Sequence, residues 1–187
     1  MPAPYSVAVL VGSLRKGSFS RMTAKALGAS APSSLKTQIV EIGDLPLYNQ
    51  DLDASPPEAW TKFRETIKPC DAVLFVTPEY NRSVPGVLKN AIDVGSRPYG
   101  SSVWNGKPGA IVSCSPGAIG AFGANHHLRQ SFVFLNVPLM QQPEAYVGGI
   151  ATAFDEQGKL TDEGKQQFFT TFMKAFADWV ETHKGKA

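Results

Sequence analysis

The sequence predicts an α/β protein: a doubly wound, five-stranded parallel sheet with helices on both faces. Three observations predict it. Continuous apolar, β-forming runs, "YSVAVLV" (5–11), "AVLFVT" (72–77) and "GAIVSC" (109–114), suit strands buried on both sides. Each run is followed by a loop and then a helix-compatible stretch, which is the alternation of βαβ units. The loops at 12–18, 77–83 and 114–123 are rich in Gly, Ser, Pro or Asn, and right-handed crossovers gather them at one edge of the sheet. In such sheets ligands bind outside the carboxyl ends of the strands.

The remaining elements follow in order. Residues 19–30 form a helix with Met22, Ala26 and Leu27 on one face. "KTQIVEI" (36–42) is a second strand, and "GDLPLYNQD" (43–51) a loop. Pro56-Pro57 opens a helix over 57–68, because proline suits a first helical turn. A helix starts at Pro85 and runs to Val94, with Ser83 or Val84 at its cap. Another spans 123–135. The fifth strand lies within 137–147, interrupted near Pro138 and Pro143. A closing helix runs from Thr161 to His183, with "TDEG" as cap and acids in its first turn. Phe168, Phe169, Phe172, Phe176 and Trp179 on it have the spacing of one buried helix face.

The bulk properties bound the function. A chain of 187 residues is expected as one domain over 1–187. A net charge of +2 with scattered cations gives no face for nucleic acid. The start "MPAPYSVAVL" lacks the basic region of a signal peptide, and no apolar run approaches the roughly 20 residues of a membrane span. Cys70 and Cys114 read as buried reduced thiols, with no C-x-x-C motif. A soluble, cytoplasmic protein is expected.

The first loop, "GSLRKGSFS" (12–20), is the strongest local signal. The dinucleotide fingerprint needs glycine where Leu14 stands. A P-loop needs Lys and Ser/Thr where Ser18 and Phe19 stand. What remains is a turn of hydroxyls and backbone N–H groups before a helix N-terminus, suited to one terminal phosphate. Ser13, Ser18 and Ser20 are its donors and Arg15 its charge; the plain alternative is a solvated turn with a serine cap. "PEYN" (78–81) is also good turn chemistry. His126-His127 are adjacent, share no helix face and have no third ligand, so no metal site is expected. Core packing is the expectation for Cys114. Trp104 and Tyr99, in the insert "RPYGSSVWNGKPG", either wall a pocket or meet a partner subunit.

"GSLRKGSFS", "TPEYNRSVPGVLKNAID" and "SPGAIGAFGANHHLRQ", in this order after strands one, three and four, resemble the NADPH-dependent FMN reductase family, which includes bacterial quinone and chromate reductases. The resemblance covers roughly residues 5–150. It implies a flavodoxin-like fold with sheet order 2-1-3-4-5 and FMN at the strand tips. The phosphate would sit on Ser13, Leu14, Arg15, Lys16, Gly17, Ser18, Phe19 and Ser20, where members often carry Asn at the last position. The flavin ring would lie on Pro78, Glu79, Tyr80, Asn81 and Arg82, with Ser115, Pro116 and Gly117 along its other side. Gly117 and Gly120 would let backbone approach the ring.

The implied activity is hydride transfer from the nicotinamide C4 of NADPH or NADH to flavin N5. Quinones, free flavin, chromate or similar acceptors would then take the electrons at the same face, in a ping-pong cycle. Arg97, in an Arg-Pro-Tyr stretch shared with some relatives, would orient donor or acceptor; its alternative is a surface arginine near a turn. Homodimers, and often tetramers through the 123–135 helix, are implied by the resemblance. The competing function is a flavodoxin-type electron carrier without its own NAD(P)H activity. Carriers are usually strongly acidic, and a pI near 8.5 opposes that reading.

Overall fold

The computed structural model describes residues 3–184. The first two and last three positions of the expected 1–187 domain, and the Met1 and Pro2 of the leader reading, lie outside the described residues. The elements are β1 (Tyr5–Val11), α1 (Phe19–Ala29), β2 (Leu35–Val40), α2 (Glu58–Ile67), β3 (Ala72–Thr77), α3 (Gly86–Gly95), β4 (Gly109–Cys114), α4 (Phe122–Phe134), β5 (Tyr146–Val147) and α5 (Glu163–His183). Short 3-10 turns at Gln50–Leu52 and Ile150–Thr152 complete the chain. The sheet is parallel in all its pairings and ordered β2-β1-β3-β4-β5, the expected flavodoxin-like order.

Strand alternation sorts the core into two layers. Val7, Val9 and Val11 of β1 face one way with Leu74, Val76 and Val112, where α1 and α5 bury Leu27, Phe169, Phe172 and Phe176. Ala8 and Leu10 face the other way with Phe75 and Ile111, where α2, α3 and α4 bury Trp60, Phe63, Leu88 and Phe132. Both sheet faces are covered, so these strands read as unbroken apolar runs. The aromatic spacing of α5 is core, as expected, with Phe168 and Trp179 partly buried at its margin. Trp104 belongs to neither a pocket wall nor an outer surface. It is fully buried against Phe63 and Phe75, and its Nε1 donates to Ile92 O at 2.8 Å.

Three boundaries differ from expectation. β5 shrinks to two residues, with one further bridge from Leu139 to Gly109, because Pro138 and Pro143 deny the edge a regular ladder. α3 has Pro85 at its cap position with no side-chain bond, rather than Ser83 or Val84. α5 is capped by Asp162, whose carboxylate accepts from Lys165 N at 2.9 Å, rather than beginning at Thr161.

The sheet edge opposite the loops is tied by one carboxylate. Asp71 accepts from Ser6 N at 2.7 Å and Ser6 Oγ at 2.9 Å, and pairs with Lys184 at 2.7 Å. Burial pushes its pKa up, but these bonds outweigh burial and hold it below the ordinary carboxylate range. A carboxyl depressed in the folded state contributes stability above its unfolded pKa of about 3.9, lost as pH falls through the lower folded value. Asp71→Asn is expected to cost about 1–2 kcal/mol at neutral pH. Urea midpoints should show that the deficit shrinks once wild-type Asp71 itself protonates in acid.

Candidate functional site

The three loops meet where the topology puts them, at the carboxyl ends of β1, β3 and β4. They enclose a crevice of about 240 Å³. The first loop leaves β1 at Gly12, whose missing side chain is required: a Cβ would stand 2.9 Å from Thr77 Oγ1. Ser13, Arg15, Ser18, Phe19 and Ser20 line the crevice. Leu14, Lys16 and Gly17 are exposed on the outer side of the turn and do not. Ser18 caps α1, its Oγ accepting from Arg21 N at 3.2 Å. The backbone N–H groups of residues 13–17 find no acceptor among the described residues. α1 carries no acid in its first turn to cancel its positive end. Arg15 leans over the Phe19 ring, 5.1 Å from its centroid.

The second loop is more constrained than a turn-former composition suggests. Tyr80 and Ser83 exchange both backbone hydrogen bonds, at 3.1 and 3.0 Å, around Asn81 (φ 51°) and Arg82 (φ 65°). Two successive positive φ values make this a two-residue hairpin of the primed type. Arginine there carries strain that asparagine tolerates better. Pro78, Glu79 and Tyr80 line the crevice, while Asn81 and Arg82 form the tip beyond it. Glu79 is the anchor. Its Oε2 accepts from Ala124 N at 3.0 Å, and its other oxygen lies 3.5 Å from Arg82. α4 starts at Ala121 in the left-handed region with no side-chain cap of its own, so Glu79 supplies the missing acceptor. The uncapped "GAFG" start was the signal for this role, and the sequence reading missed it. Gly123 makes the approach possible, since a Cβ would lie 2.8 Å from both Glu79 Oε2 and Arg82 O.

The third loop brings Cys114, Ser115 and Pro116 to the crevice; Gly117 lies just outside it, its N–H bonded to Ser115 Oγ at 3.1 Å. Cys114 is a core residue as expected, 2% exposed, and it also lines the crevice. Gly120 serves β5: its Cβ position lies 2.4 Å from the backbone carbon of Tyr146, so it is spent on sheet packing. Cys70 is half-buried and bonds Thr66 O at 3.3 Å rather than filling the core.

Arg97 is not brought to this crevice within its own chain. α3 begins just after the second loop and runs ten residues, about 15 Å, away from it. Arg97 follows the far end, its guanidinium 5.7 Å from the centroid of Tyr48 and its carbonyl accepting from Arg64. Two larger cavities, of about 440 and 490 Å³, flank it, and Tyr99 on the rim of the first is 85% exposed. Neither cavity is formed at a helix N-terminus, whereas the smaller crevice is. The two histidines are engaged singly, His126 with Tyr146 Oη at 3.0 Å and His127 with Ser83 Oγ at 2.9 Å. Among the described residues no group of three metal-ligating side chains exists, and no helix is long and apolar enough to cross a membrane.

A phosphate monoester on a ribityl chain fits these residues. The free N–H run, three buried hydroxyls and Arg15 meet its anion, and the walls at Pro78–Tyr80 and Ser115–Pro116 leave a slot for a flat ring.

Comparison with known proteins agrees. Residues 5–152 match the family described as NADPH-dependent FMN reductase. A quinone reductase of Pseudomonas putida is 64% identical over 98% of this chain and 99% of its own. A 2-hydroxy-1,4-benzoquinone reductase of a Burkholderia species is 48% identical over 95% and 97%. The flavoenzyme NAD(P)H:(acceptor) oxidoreductase FerB of Paracoccus denitrificans superposes with a TM-score of 0.90 at 45% identity, covering 96% of this chain and 99% of that one. Loop motifs, sheet order and full-length similarity coincide: the chain belongs to the NADPH-dependent FMN reductase family.

Proposed function

We propose that this protein is an FMN-dependent NAD(P)H:quinone oxidoreductase, with quinones its principal acceptors and chromate or free flavin secondary ones. The observation that carries the reading is the crevice itself, where a buried anion cradle adjoins a slot open on one side. Bound there, FMN supplies two-electron chemistry, taking hydride from a nicotinamide and delivering the electrons to the acceptor. Ser13, Arg15, Ser18 and Ser20 hold the phosphate, with the Leu14–Gly17 backbone donating N–H groups. Pro78, Glu79 and Tyr80 support one side of the ring, with Asn81 and Arg82 at its rim, and Ser115, Pro116 and Gly117 border the other. One open side serves donor and acceptor in turn, which is a ping-pong cycle. The two free thiols suit the reducing cytoplasm.

Arg97 enters this reading through a second subunit. α4 exposes Val133 and Phe134 at 81% each, and Phe122 at 45%. A two-fold dimer across α3 and α4 lays the two α3 helices antiparallel. The far end of one helix, with its Arg97, is then carried toward the crevice of the other subunit. Relatives named as quinone reductases favour that acceptor class.

Stopped-flow mixing of the yellow, FMN-loaded protein with NADH or NADPH tests the reading. Rapid bleaching at 450 nm or so, then reoxidation by benzoquinone, is expected for an absorbing flavin that the cofactor chemistry cycles. A flavin that neither nicotinamide reduces would favour an electron carrier instead. Parallel rather than intersecting double-reciprocal lines would establish the ping-pong order.

A further inference from the structure

A thiol sits directly beneath the anion cradle. Cys114, the last residue of β4, and Ser20, in the first turn of α1, are each 2% exposed, and both line the crevice. Cys114 Sγ lies 3.4 Å from Ser20 Oγ. Thr23, one turn further along α1, is fully buried, and its Oγ1 has no hydrogen-bond partner among the described residues. Burial pushes the Cys114 thiol up, against an opposing pull from the neighbouring Ser20 hydroxyl. Cys114 belongs to the apolar layer that also holds Val11, Ala24, Leu27 and Val112.

Two hydrogen-bearing polar groups in contact, buried in an apolar layer, impose a direction on one another. Buried serine and threonine on a helix commonly donate back to the carbonyl four residues earlier. Ser20 and Thr23 make no such bond here, although Ser30 in the same region does, at 2.9 Å. The Ser20 hydroxyl is therefore not committed to the helix backbone; among the described residues its side-chain partner is the thiol, and either atom can be the donor.

We infer that Cys114 is a positioning residue for the phosphate site: its S–H donates to Ser20 Oγ and turns the Ser20 O–H out into the crevice. The hydrogen-bond chain then runs from the thiol through the Ser20 hydroxyl to the bound anion. No covalent or redox step is involved. The inference rests on the crevice being the FMN phosphate site, and it adds a role for a residue that touches no phosphate itself.

The test is FMN affinity, read by quenching of FMN fluorescence on the apo-protein, with riboflavin as the ligand lacking phosphate. Cys114→Ala and Cys114→Val are expected to weaken FMN about 3- to 10-fold, the range of one lost neutral hydrogen bond. Cys114→Ser, which keeps a donor, should restore affinity to within about twofold of wild type. Riboflavin affinity should be unmoved in all three. In a Ser20→Ala background the Cys114→Ala change should have no further effect, because coupled residues are not additive. Equal FMN affinity for Cys114→Ala and wild type would overturn the inference, as would an equal loss for riboflavin, which marks plain packing. If wild type itself binds no FMN, the functional reading fails first, and that outcome is distinct from both.

Discussion

Arg15→Ala is expected to weaken FMN binding about 10- to 150-fold, the cost of a lost charge-assisted hydrogen bond to an ionised group of about 1.5–3 kcal/mol. The expectation follows from the electrostatics of the crevice. Its rim carries one carboxylate, Glu79, and that charge is occupied by Ala124 N and Arg82. α1 brings no acid to its first turn. Arg15 is thus the one guanidinium lining a cradle otherwise made of neutral donors. Stability should hardly move, because Arg15 is exposed and pairs with no acid among the described residues. Lys16→Ala serves as the contrast, since Lys16 points off the crevice, and a change below about threefold is expected. Titration by flavin fluorescence at two ionic strengths separates the mechanisms: wild-type affinity should fall with salt and the Arg15→Ala affinity much less. Riboflavin, without the phosphate, should not distinguish the two proteins. Unchanged FMN affinity in Arg15→Ala would place the phosphate elsewhere.

Distance along the chain separates what the first loop shows from what Arg97 shows. Residues 12–20 are contiguous, and their chemistry is local: hydroxyls, two glycines and a helix start stand in one stretch. β1, β3 and β4 were equally legible, because burial on both faces writes an unbroken apolar run. β5 lies at the sheet edge just after Pro138 and Pro143, and its ladder of two residues leaves no periodicity to read. Arg97 is separated from the crevice within its own chain for a topological reason. It follows the helix that starts at the second loop, and a helix carries its far end away from where it begins. Glu79 has a further task that the sequence did not show. Its partner is the start of α4, 45 residues on, and only the fold reveals that α4 lacks a cap of its own.

Gly120→Ala is expected to cost about 4 kcal/mol of stability. Two costs combine. Gly120 has φ +62°, a left-handed conformation that costs an L residue about 1–2 kcal/mol. Its Cβ would also stand 2.4 Å from Tyr146 C, 2.6 Å from Tyr146 O and 2.7 Å from Val147 N. Those atoms are backbone of β5, so no side chain can turn aside, and overpacking of that kind costs about 1–3 kcal/mol or more. The loop can yield only by breaking the bond from Ser113 Oγ to Gly120 O, 2.8 Å long, which also supports the buried Asn125. Gly100→Ala isolates the first cost. Gly100 has φ +82° with open space around its Cβ position, so a loss of only about 1 kcal/mol is expected. Denaturant midpoints of the two variants should therefore differ by several-fold in ΔΔG. Gly120→Ala should in addition bind FMN more weakly wherever it remains folded, because Ser115 and Pro116 reach the crevice on the strand end that Gly120 holds against β5. Equal destabilisation by the two substitutions would mean that dihedral strain alone governs Gly120, and that the third loop is free to move away from the sheet edge.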